Sequence, residues 1–526
     1  MKALSVPICR WHKQHFGDMT ERIKRFQEEI KKVDDMVSSG HYDGTMEARK
    51  RALVRCCKKW YVRQDVYWKQ MSRSRHAHEM DRNTKYFHNI ALTRRRNNRI
   101  ESLEINGRIV KNQARIKIAI RDFYKCLYHQ EGSPSVSFRD GLVNRLEREE
   151  AEGLEVIPSV EEVKEAVWDC ESSKALGSDV YNMNFIKMCW NEIEMEFTAA
   201  VISFFETARL PAESNITWVA LAPKFVGTKE IKDLRPISMV GYVYKVISKF
   251  FTRRMRRVMP GLVGESQTAF VKGRKIHDGA LIACETRRWA SVEHEGHGLE
   301  SVLARHLYPF WIIENAVKNG RISSLLFGRD NIELSHLQFA DDTILFCPSE
   351  ENTVRNYQRL LRCFEIMSRL SINFEKSNLI PVNCSQEWVS RMCQLLGCQE
   401  AALPVRYLGI NLGANPRLVK TWKPVLDKVE EKLSLWKAKV LSKAGKLVLI
   451  KSVINSLPIY YLSLYKMPNM VARRIIALQR KFFWGKDDGR PGMALVKWEI
   501  VQAPKKLGGL GVGDAVVRNT ALLFKW

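Results

Sequence analysis

Apolar residues recur every three or four positions along several charged stretches, the spacing of a single buried face on an α-helix. In residues 19–70 this stripe runs through Ile23, Phe26, Ile30, Val33 and Met36. A helix of this kind needs a partner to cover its apolar face. The stretch therefore predicts a helix that packs against another part of the chain.

From Ser159 onward the pattern is typical of a globular domain. Ser159 is a favourable N-cap, Glu161 and Glu162 follow in the first turn, and apolar residues at 160, 163, 166 and 167 predict a helix. Further helices are predicted over 185–208 and 243–259, with a short strand over 218–225 between them, closed by Pro223. Four arginines of the later helix fall on one side of it, either as a solvated surface or as a binding face: Arg253, Arg254, Arg256 and Arg257.

Beyond residue 420, two more apolar faces predict a small helical bundle. One consists of Trp422, Val425, Leu426, Val429, Leu433 and Trp436, and the other of Leu447, Ile450, Ile454 and Leu457. Five lysines decorate the turn between them: Lys437, Lys439, Lys443, Lys446 and Lys451. A charge run of this kind is usually a solvated face.

Composition narrows the function classes. The chain has 526 residues, 45% of them hydrophobic, and its 85 Lys and Arg against 58 Asp and Glu give a net charge of +27. This excess favours polyanions by counterion release, so nucleic acid is the predicted partner, with a basic ribosomal or membrane-surface protein as the alternative. Without an apolar run of membrane-spanning length or a signal-peptide pattern, the expected location is intracellular, the nucleus included.

Two local features extend this picture. The twelve cysteines follow no disulfide or zinc spacing, which predicts reduced, mostly buried thiols. Residues 68–100 interleave arginines, which bind phosphates, with Trp68, Tyr86, Phe87 and His88, which can stack on bases. The candidate nucleic-acid-binding residues there are Arg94, Arg95 and Arg96; a solvated helix with a few core aromatics is the alternative.

The segment 336–346, HLQFADDTILF, predicts a β-hairpin with Asp341 and Asp342 at its tip. Two adjacent carboxylates on a tight turn can hold Mg²⁺, which requires hard oxygen ligands and can carry substrate phosphates. A polar β-turn without any metal is the more common outcome for an isolated Asp-Asp pair. The pair by itself is therefore a weak signal.

An ordered set of further motifs surrounds this hairpin: KALGSDVYN (174–182), LAPK (221–224), LRPISMV (234–240), YKVISK (244–249), QTAFVKGRKIHD (267–278), SINFEKS (371–377), RYLGINLG (406–413), LSLWK (433–437), LSKAGKLVLIKSVINSLPIYYLSL (441–464) and PKKLGGLG (504–511). Together with FADD (339–342), they resemble the reverse transcriptases of plant LINE-type (non-LTR) retrotransposons. That resemblance covers nearly the whole chain.

The resemblance implies a helix-rich α+β fold with reverse-transcriptase-like fingers, palm and thumb. The expected domains are a helical, basic N-terminal region (1–150), fingers and palm (151–420) and a helical thumb or connection region (421–526). Its expected partners are RNA and DNA, and its expected cofactor is Mg²⁺. The oligomeric state is left open.

The resemblance also assigns roles to individual residues. Asp341 and Asp342 would be metal ligands, and Lys376 would approach the leaving pyrophosphate. Lys224 and Arg235 would face the nucleotide triphosphate on the same side as the Asp pair, with plain surface ion pairs as the alternative. The remaining implied contacts are with nucleic acid. Gln267, Gly273 and Arg274 would shape the fingers and template path, and Tyr407, Leu408 and Gly409 would form the primer grip or a purely structural turn.

The sequence departs from the family between Asp278 and Asp341. The family's strand ending in a third metal-binding Asp is not found between Gly279 and Gln338, and residues 303–320 retain only traces of the next element. A deletion, genomic or by mis-splicing, is expected near 294–303, and Leu176, Ser178 and Ala444 are smaller departures. The expectation is an incomplete palm sheet with impaired Mg²⁺ binding. Three functions remain: a working RNA-directed DNA polymerase, a non-catalytic nucleic-acid-binding remnant and a decayed product without selected function, the first ranked below the others.

Overall fold

The computed structural model describes residues 5–41, 43–74, 84–129, 146–172, 177, 181–212, 214–290, 299–305, 310–327, 331–368, 370–486, 490 and 492–525. Helices dominate this part of the chain, and short strands accompany them, so the predicted helix-rich α+β class is confirmed. The helices are α1 Ser5–His15, α2 Met19–Ser38, α3 Gly44–Ser72, α4 Thr84–Asn97, α5 Gln113–Leu127, α6 Arg148–Glu155, α7 Val160–Asp169, α8 Met183–Met188, α9 Trp190–Thr207, α10 Tyr242–Leu262, α11 Ile276–Ala290, α12 Phe310–Lys318, α13 Glu351–Ser368, α14 Gln386–Leu396, α15 Lys423–Lys432, α16 Leu435–Val440, α17 Lys443–Leu449, α18 Ile459–Leu464, α19 Asn469–Trp484, α20 Trp498–Gln502 and α21 Ala515–Leu523.

The strands form one five-stranded sheet and four two-stranded hairpins in the described chain. They are β1 Leu103–Ile105, β2 Arg108–Val110, β3 Trp218–Pro223, β4 Leu234–Met239, β5 Leu299–Arg305, β6 Leu325–Phe327, β7 Ile332–Leu334, β8 His336–Phe339, β9 Asp342–Pro348, β10 Asn378–Val382, β11 Gln399–Glu400, β12 Val405–Tyr407 and β13 Ile410–Leu412. The five-stranded sheet has the order β11-β10-β5-β9-β8 and is antiparallel except for the β10–β11 pair.

Both faces of this sheet are covered, as the alternating side chains of β9 show. Leu345 and Cys347 pack with residues of α12, α13 and α14. Ile344 and Phe346 point the other way and pack with residues of α11 and of the β12–β13 hairpin. The sheet therefore lies at the centre of the fold, and one of its ends carries the Asp341-Asp342 turn.

Strand β5 and the β6–β7 hairpin lie between Gly279 and Gln338, the interval in which the family's strand ending in a third metal-binding Asp is not found. β5 ends at Arg305 and not at an Asp. β5 lies between β9 and β10 and pairs with both. It thereby supplies hydrogen-bonding partners to the backbone N–H and C=O groups on the facing edges of these two strands. Part of the predicted join, residues 294–298, lies outside the described residues. So do most of the 174–182 motif, Leu176 and Ser178 included, and the arginines at 75 and 82.

The helix pair at the N-terminus confirms the apolar stripe. Asp18 caps α2 by accepting hydrogen bonds from the amides of Thr20 and Glu21. Ile23 of α2 is buried against Cys57 and Trp60 of α3, whereas Met36 at the end of the stripe is exposed. The apolar face of α2 is thus covered by the next helix.

Helices α7 and α10 pack together, and this contact divides the four-arginine cluster. Ser159 caps α7 as predicted, with its hydroxyl accepting from the amide of Glu162. Arg254 is buried and binds Glu162 at 3.0 Å, and Arg253 pairs with Asp169 at 2.8 Å. Only Arg256 and Arg257 are exposed. The cluster is therefore half structural, which spacing within one helix cannot reveal.

The C-terminal helices form the predicted bundle, and helix α4 from the N-terminal region completes one of its cores. Tyr86 and Phe87 of α4 are buried with Phe482, Phe483 and other residues of the bundle. The lysine run is not uniformly solvated, since Lys446 is 3% exposed and donates to the carbonyl of Gly485 at 3.3 Å. Its ammonium compensates carbonyls near the end of α19.

The twelve cysteines, all within the described residues, form no disulfide, as predicted, but the prediction that most are buried is wrong. Cys57, Cys347 and Cys398 are buried, and the other nine are partly or fully exposed. In the described part of the chain, no helix has the length and apolar character needed to cross a membrane.

Candidate functional site

The predicted hairpin is present, with a two-residue loop at its tip. Phe339 of β8 pairs with Asp342 of β9, which leaves Ala340 and Asp341 as the loop. Ala340 has a φ of 55°, a left-handed conformation that is unfavourable for a residue with a Cβ. Both Asp341 and Asp342 are half-buried. The two carboxylates therefore lie at one end of the central sheet on a turn whose backbone is strained.

Gln267 braces this turn from the neighbouring segment. Its side-chain oxygen accepts hydrogen bonds from the amides of Ala269, at 2.9 Å, and Ala340, at 3.2 Å. Gln267 also forms a parallel bridge with Gln338, whose carbonyl accepts from the Thr268 amide at 2.9 Å. Gln267 is 4% exposed. In this structure it holds the carboxylate turn.

Gly273 and Arg274 support the same segment. The Arg274 guanidinium donates to the carbonyls of Val263, at 3.0 Å, Gln267, at 2.8 Å, and Gly264. Gly273 supplies a φ of 93°, which turns the chain just before Arg274. Arg274 is a positioning residue because it fixes the backbone of the segment that carries Gln267.

A buried histidine lies beside β8. His336 Nε2 is 2.7 Å from the Ser266 hydroxyl, and Nδ1 is 3.0 Å from the Ser335 hydroxyl. Burial lowers the pKa of His336 to about 4, so the ring is neutral at neutral pH. This residue was missed at the sequence level, since no local signal distinguishes it from a surface histidine.

The Tyr407-Leu408-Gly409 turn lies against the sheet beneath the Asp pair. Leu408 and Gly409 have φ values of 46° and 86° and form the two-residue loop of the β12–β13 hairpin. Tyr407 packs with Leu337 and Ile344 of the sheet. Burial, and then the negative charge of Asp342, raises the pKa of Tyr407. Within the described chain its buried hydroxyl has no hydrogen-bond partner.

Strand β5 pairs with β9 without an acidic position opposite Asp342. Its register places Arg305 opposite Asp342 and Glu300 opposite Cys347, near the far end of the sheet. Among the residues that the structure describes, no three His, Cys, Asp or Glu side chains form a group that could hold a metal ion. The donor set there does not fit a pair of Mg²⁺ ions, which requires more carboxylate ligands than Asp341 and Asp342 supply.

Lys376 lies at the same end of the sheet as the Asp pair. It ends a 3₁₀ turn, Phe374–Lys376, just before β10, and Asn373 accepts a hydrogen bond from its amide at 3.1 Å. Asn378, two residues after Lys376, pairs with Leu303 of β5, and Arg305, two residues after Leu303, pairs with Asp342 of β9. Two strand spacings, about 10 Å of backbone separation, therefore lie between Lys376 and Asp342. The side chain of Lys376 is exposed.

Lys224 and Arg235 lie on the separate β3–β4 hairpin. The Lys224 ammonium donates to the Lys232 carbonyl at 2.6 Å and lies 3.8 Å from Asp233. Arg235 is exposed and pairs with Ala222 across the hairpin. A hydrogen bond to Glu230 raises the pKa of Lys232, and the more distant Glu375 adds to this effect. The end of this hairpin is therefore within electrostatic reach of the 374–376 turn.

In the aromatic-basic segment 68–100, the three candidate arginines are exposed as predicted, but two of the aromatic rings are buried. Arg94, Arg95 and Arg96 are exposed, and Arg94 donates to the carbonyl of Ser72. Tyr86 and Phe87 are 4% and 0% exposed, so they cannot stack on bases. Base stacking by these two rings is therefore ruled out, because they complete a hydrophobic core contributed by the distant C-terminal helices.

Comparisons with known proteins give two partial similarities. Over 105 residues, 20% of the chain, it is 40% identical to the Arabidopsis thaliana protein named "Putative ribonuclease H protein". Over 210 residues, 39% of the chain, it is 26% identical to the Xenopus laevis "Transposon TX1 uncharacterized 149 kDa protein". The aligned segments span 17% and 16% of those relatives. No family model matches the chain.

Proposed function

We propose that this chain derives from the reverse transcriptase of a plant LINE-type retrotransposon, that it binds RNA and DNA, and that it does not polymerise. The observation that carries the proposal is the turn of Asp341 and Asp342 at the end of the central sheet, with Arg305 opposite Asp342. The similarity to a transposon protein supports the ancestry. The Arabidopsis relative supports a plant origin and interaction with nucleic acid.

Inactivity is expected on electrostatic grounds. Phosphoryl transfer by two metal ions needs carboxylates on both sides of the reaction centre, because they hold both ions and align the attacking oxygen. The residue opposite Asp342 is Arg305, and an arginine supplies no ligand for Mg²⁺. Asp341 and Asp342 can recruit at most one Mg²⁺ weakly, and loss of several kcal/mol of transition-state stabilisation lowers the rate by ~10³-fold or more.

Primer extension on an RNA template with Mg²⁺ or Mn²⁺ tests this proposal. We expect no incorporation of labelled nucleotide by the unmodified chain or by the Asp341→Ala, Asp342→Ala double variant. Incorporation by the unmodified chain that the double variant abolishes would contradict inactivity, because another acid would then have replaced the missing ligand.

Nucleic-acid binding without catalysis is favoured over a decayed product with no activity by the exposed Arg95 and Arg96 and the net charge of +27. Filter binding of single-stranded RNA should weaken steeply with salt and depend little on sequence. Affinity that is flat from low to physiological salt would contradict this part of the proposal. Nuclear location, expected because DNA is one partner, stays a prediction.

A further inference from the structure

A partly exposed tryptophan lies where the N-terminal and C-terminal segments meet. Trp436 of α16 is 37% exposed. Its ring is stacked with that of Tyr86 of α4, with centroids 6.0 Å apart and planes at 26°. Because Tyr86 is buried in the core, it holds the indole from one side. An aromatic ring fixed in this way is suited to stacking because little conformational freedom remains to be lost.

A lysine lies beside the Trp436 ring. Lys437 Nζ lies 5.6 Å from the centroid of Trp436 and donates to the carbonyl of Lys432 at 2.9 Å. Burial and the neighbouring charge of Lys432 lower the pKa of Lys437 to about 8, so an anion placed nearby would be stabilised and would favour its charged form. The charge of Arg94 reaches Tyr86, where it lowers the phenol pKa that burial raises.

An open groove begins at the same short helix. It has a volume of about 710 Å³, and Leu433, Ser434 and Ala438 form one wall. The opposite wall, on and just after α19, carries three cations, Arg474, Lys481 and Lys486, while Glu430 is the acid in the lining. Glu430 is already paired with Arg474 at 3.2 Å. The charge of this lining complements a phosphate backbone.

We propose that Trp436 stacks on a base of single-stranded nucleic acid whose phosphates contact Lys437 and the basic groove between α16 and α19. The occupant is a single strand, because only an unpaired base exposes a face for stacking. This inference rests on the proposed binding of nucleic acid and assigns one site for it. The site combines segments about 350 residues apart, so it exists only in the folded chain.

The test compares Trp436→Ala with Trp168→Ala, a matched control. Trp168 is also exposed, at 47%, and has Lys164 Nζ at 6.0 Å, but that lysine is paired with Glu194. We expect Trp436→Ala to weaken binding of a short oligouridylate by about 5- to 150-fold, the effect of one lost stack, ~1–3 kcal/mol. Trp168→Ala should bind like the unmodified chain.

Trp436→Phe should keep most of the affinity, and an oligonucleotide with abasic sites should bind equally to the unmodified chain and Trp436→Ala. Photo-cross-linking of 5-iodouridine RNA to the unmodified chain should label the peptide containing Trp436, which tests the site without any substitution. If the chain binds RNA with a salt dependence but Trp436→Ala matches Trp168→Ala, or the cross-link lies elsewhere, the stacking inference is wrong and the proposed function stands. If the unmodified chain binds no RNA, both fall.

Discussion

The brace between Gln267 and the Asp341-Asp342 turn can be removed by a single substitution. Gln267→Leu keeps a side chain of similar size but removes the oxygen that accepts from the amides of Ala269 and Ala340. Because the residue is 4% exposed, bulk water cannot readily take its place. We expect the hairpin tip to lose protection against opening while the rest of the sheet stays folded.

The magnitude follows from the number of amides left unpaired. A buried donor that loses its acceptor costs about 1–3 kcal/mol, so two such donors give about 2–4 kcal/mol after partial relaxation. The loop is also sensitive because Ala340 adopts a φ of 55°, a conformation that costs roughly 1–2 kcal/mol in a non-glycine residue. Without Gln267, the hydrogen bond that offsets this strain is absent.

Hydrogen exchange over residues 336–346 measures the effect. At about 1.4 kcal/mol per tenfold change, exchange of the Ala340 amide should accelerate by about 30-fold or more. Gln267→Glu, which keeps an acceptor oxygen, should lose less protection. Gln479→Leu removes another buried glutamine, which donates to Asn455 at 3.1 Å in the C-terminal bundle, and should leave residues 336–346 unchanged. Unaltered exchange of the Ala340 amide in Gln267→Leu would refute the bracing role.

Four further outcomes are expected. The pKa of His336 is lowered from 6.5 to about 4 in the folded chain, so the unfolded chain binds more protons between these pH values, and the free energy of unfolding should fall by about 3 kcal/mol as pH drops from 6.5 to 4. Urea denaturation at several pH values should show this fall, and His336→Gln should lose that part of the pH dependence. An identical pH dependence in the variant would contradict the prediction. Arg305→Asp adds an acid opposite Asp342 and should tighten Mn²⁺ binding, measured by electron paramagnetic resonance, by about tenfold or more. Arg305→Ala, which only removes a charge, should tighten it less. Equal Mn²⁺ affinities in the two variants would contradict the placement of residue 305 opposite Asp342. The double variant Arg95→Ala, Arg96→Ala should reduce the slope of log affinity against log salt for single-stranded RNA by about 1.4. Arg148 is paired with Glu152 at 2.8 Å, so Arg148→Ala should leave that slope unchanged. An unaltered slope in the double variant would exclude phosphate contacts by Arg95 and Arg96. Tyr407→Phe removes a buried hydroxyl that lacks a hydrogen-bond partner in the described chain. In denaturation, the variant should therefore be as stable as the unmodified chain or slightly more stable. A decrease of more than about 1 kcal/mol in the free energy of unfolding would mean that the hydroxyl is hydrogen-bonded in solution.

The sequence alone determined the local elements, because their causes are local. The cap of α7, the stripe on α2, the strand predicted over 218–225 and found at Trp218–Pro223, and the hairpin at 339–342 follow from spacing and cap residues within a few positions. The net charge and the positions of Asp341 and Asp342 were also readable without coordinates. The helix-rich α+β class was implied by the resemblance to LINE-type reverse transcriptases, which the sequence motifs carry.

Tertiary structure decided what each side chain touches, because its neighbours come from distant parts of the chain. Phe87 looked available for stacking, yet it completes a core built by residues 438–512. Arg254 looked like surface charge, yet it is buried against Glu162. Strand β5 was not predicted, because it is defined by its backbone pairing with β9 and β10, which lie far along the chain. The brace of Gln267 on Ala340 likewise joins residues 73 positions apart, a relation that no local pattern encodes.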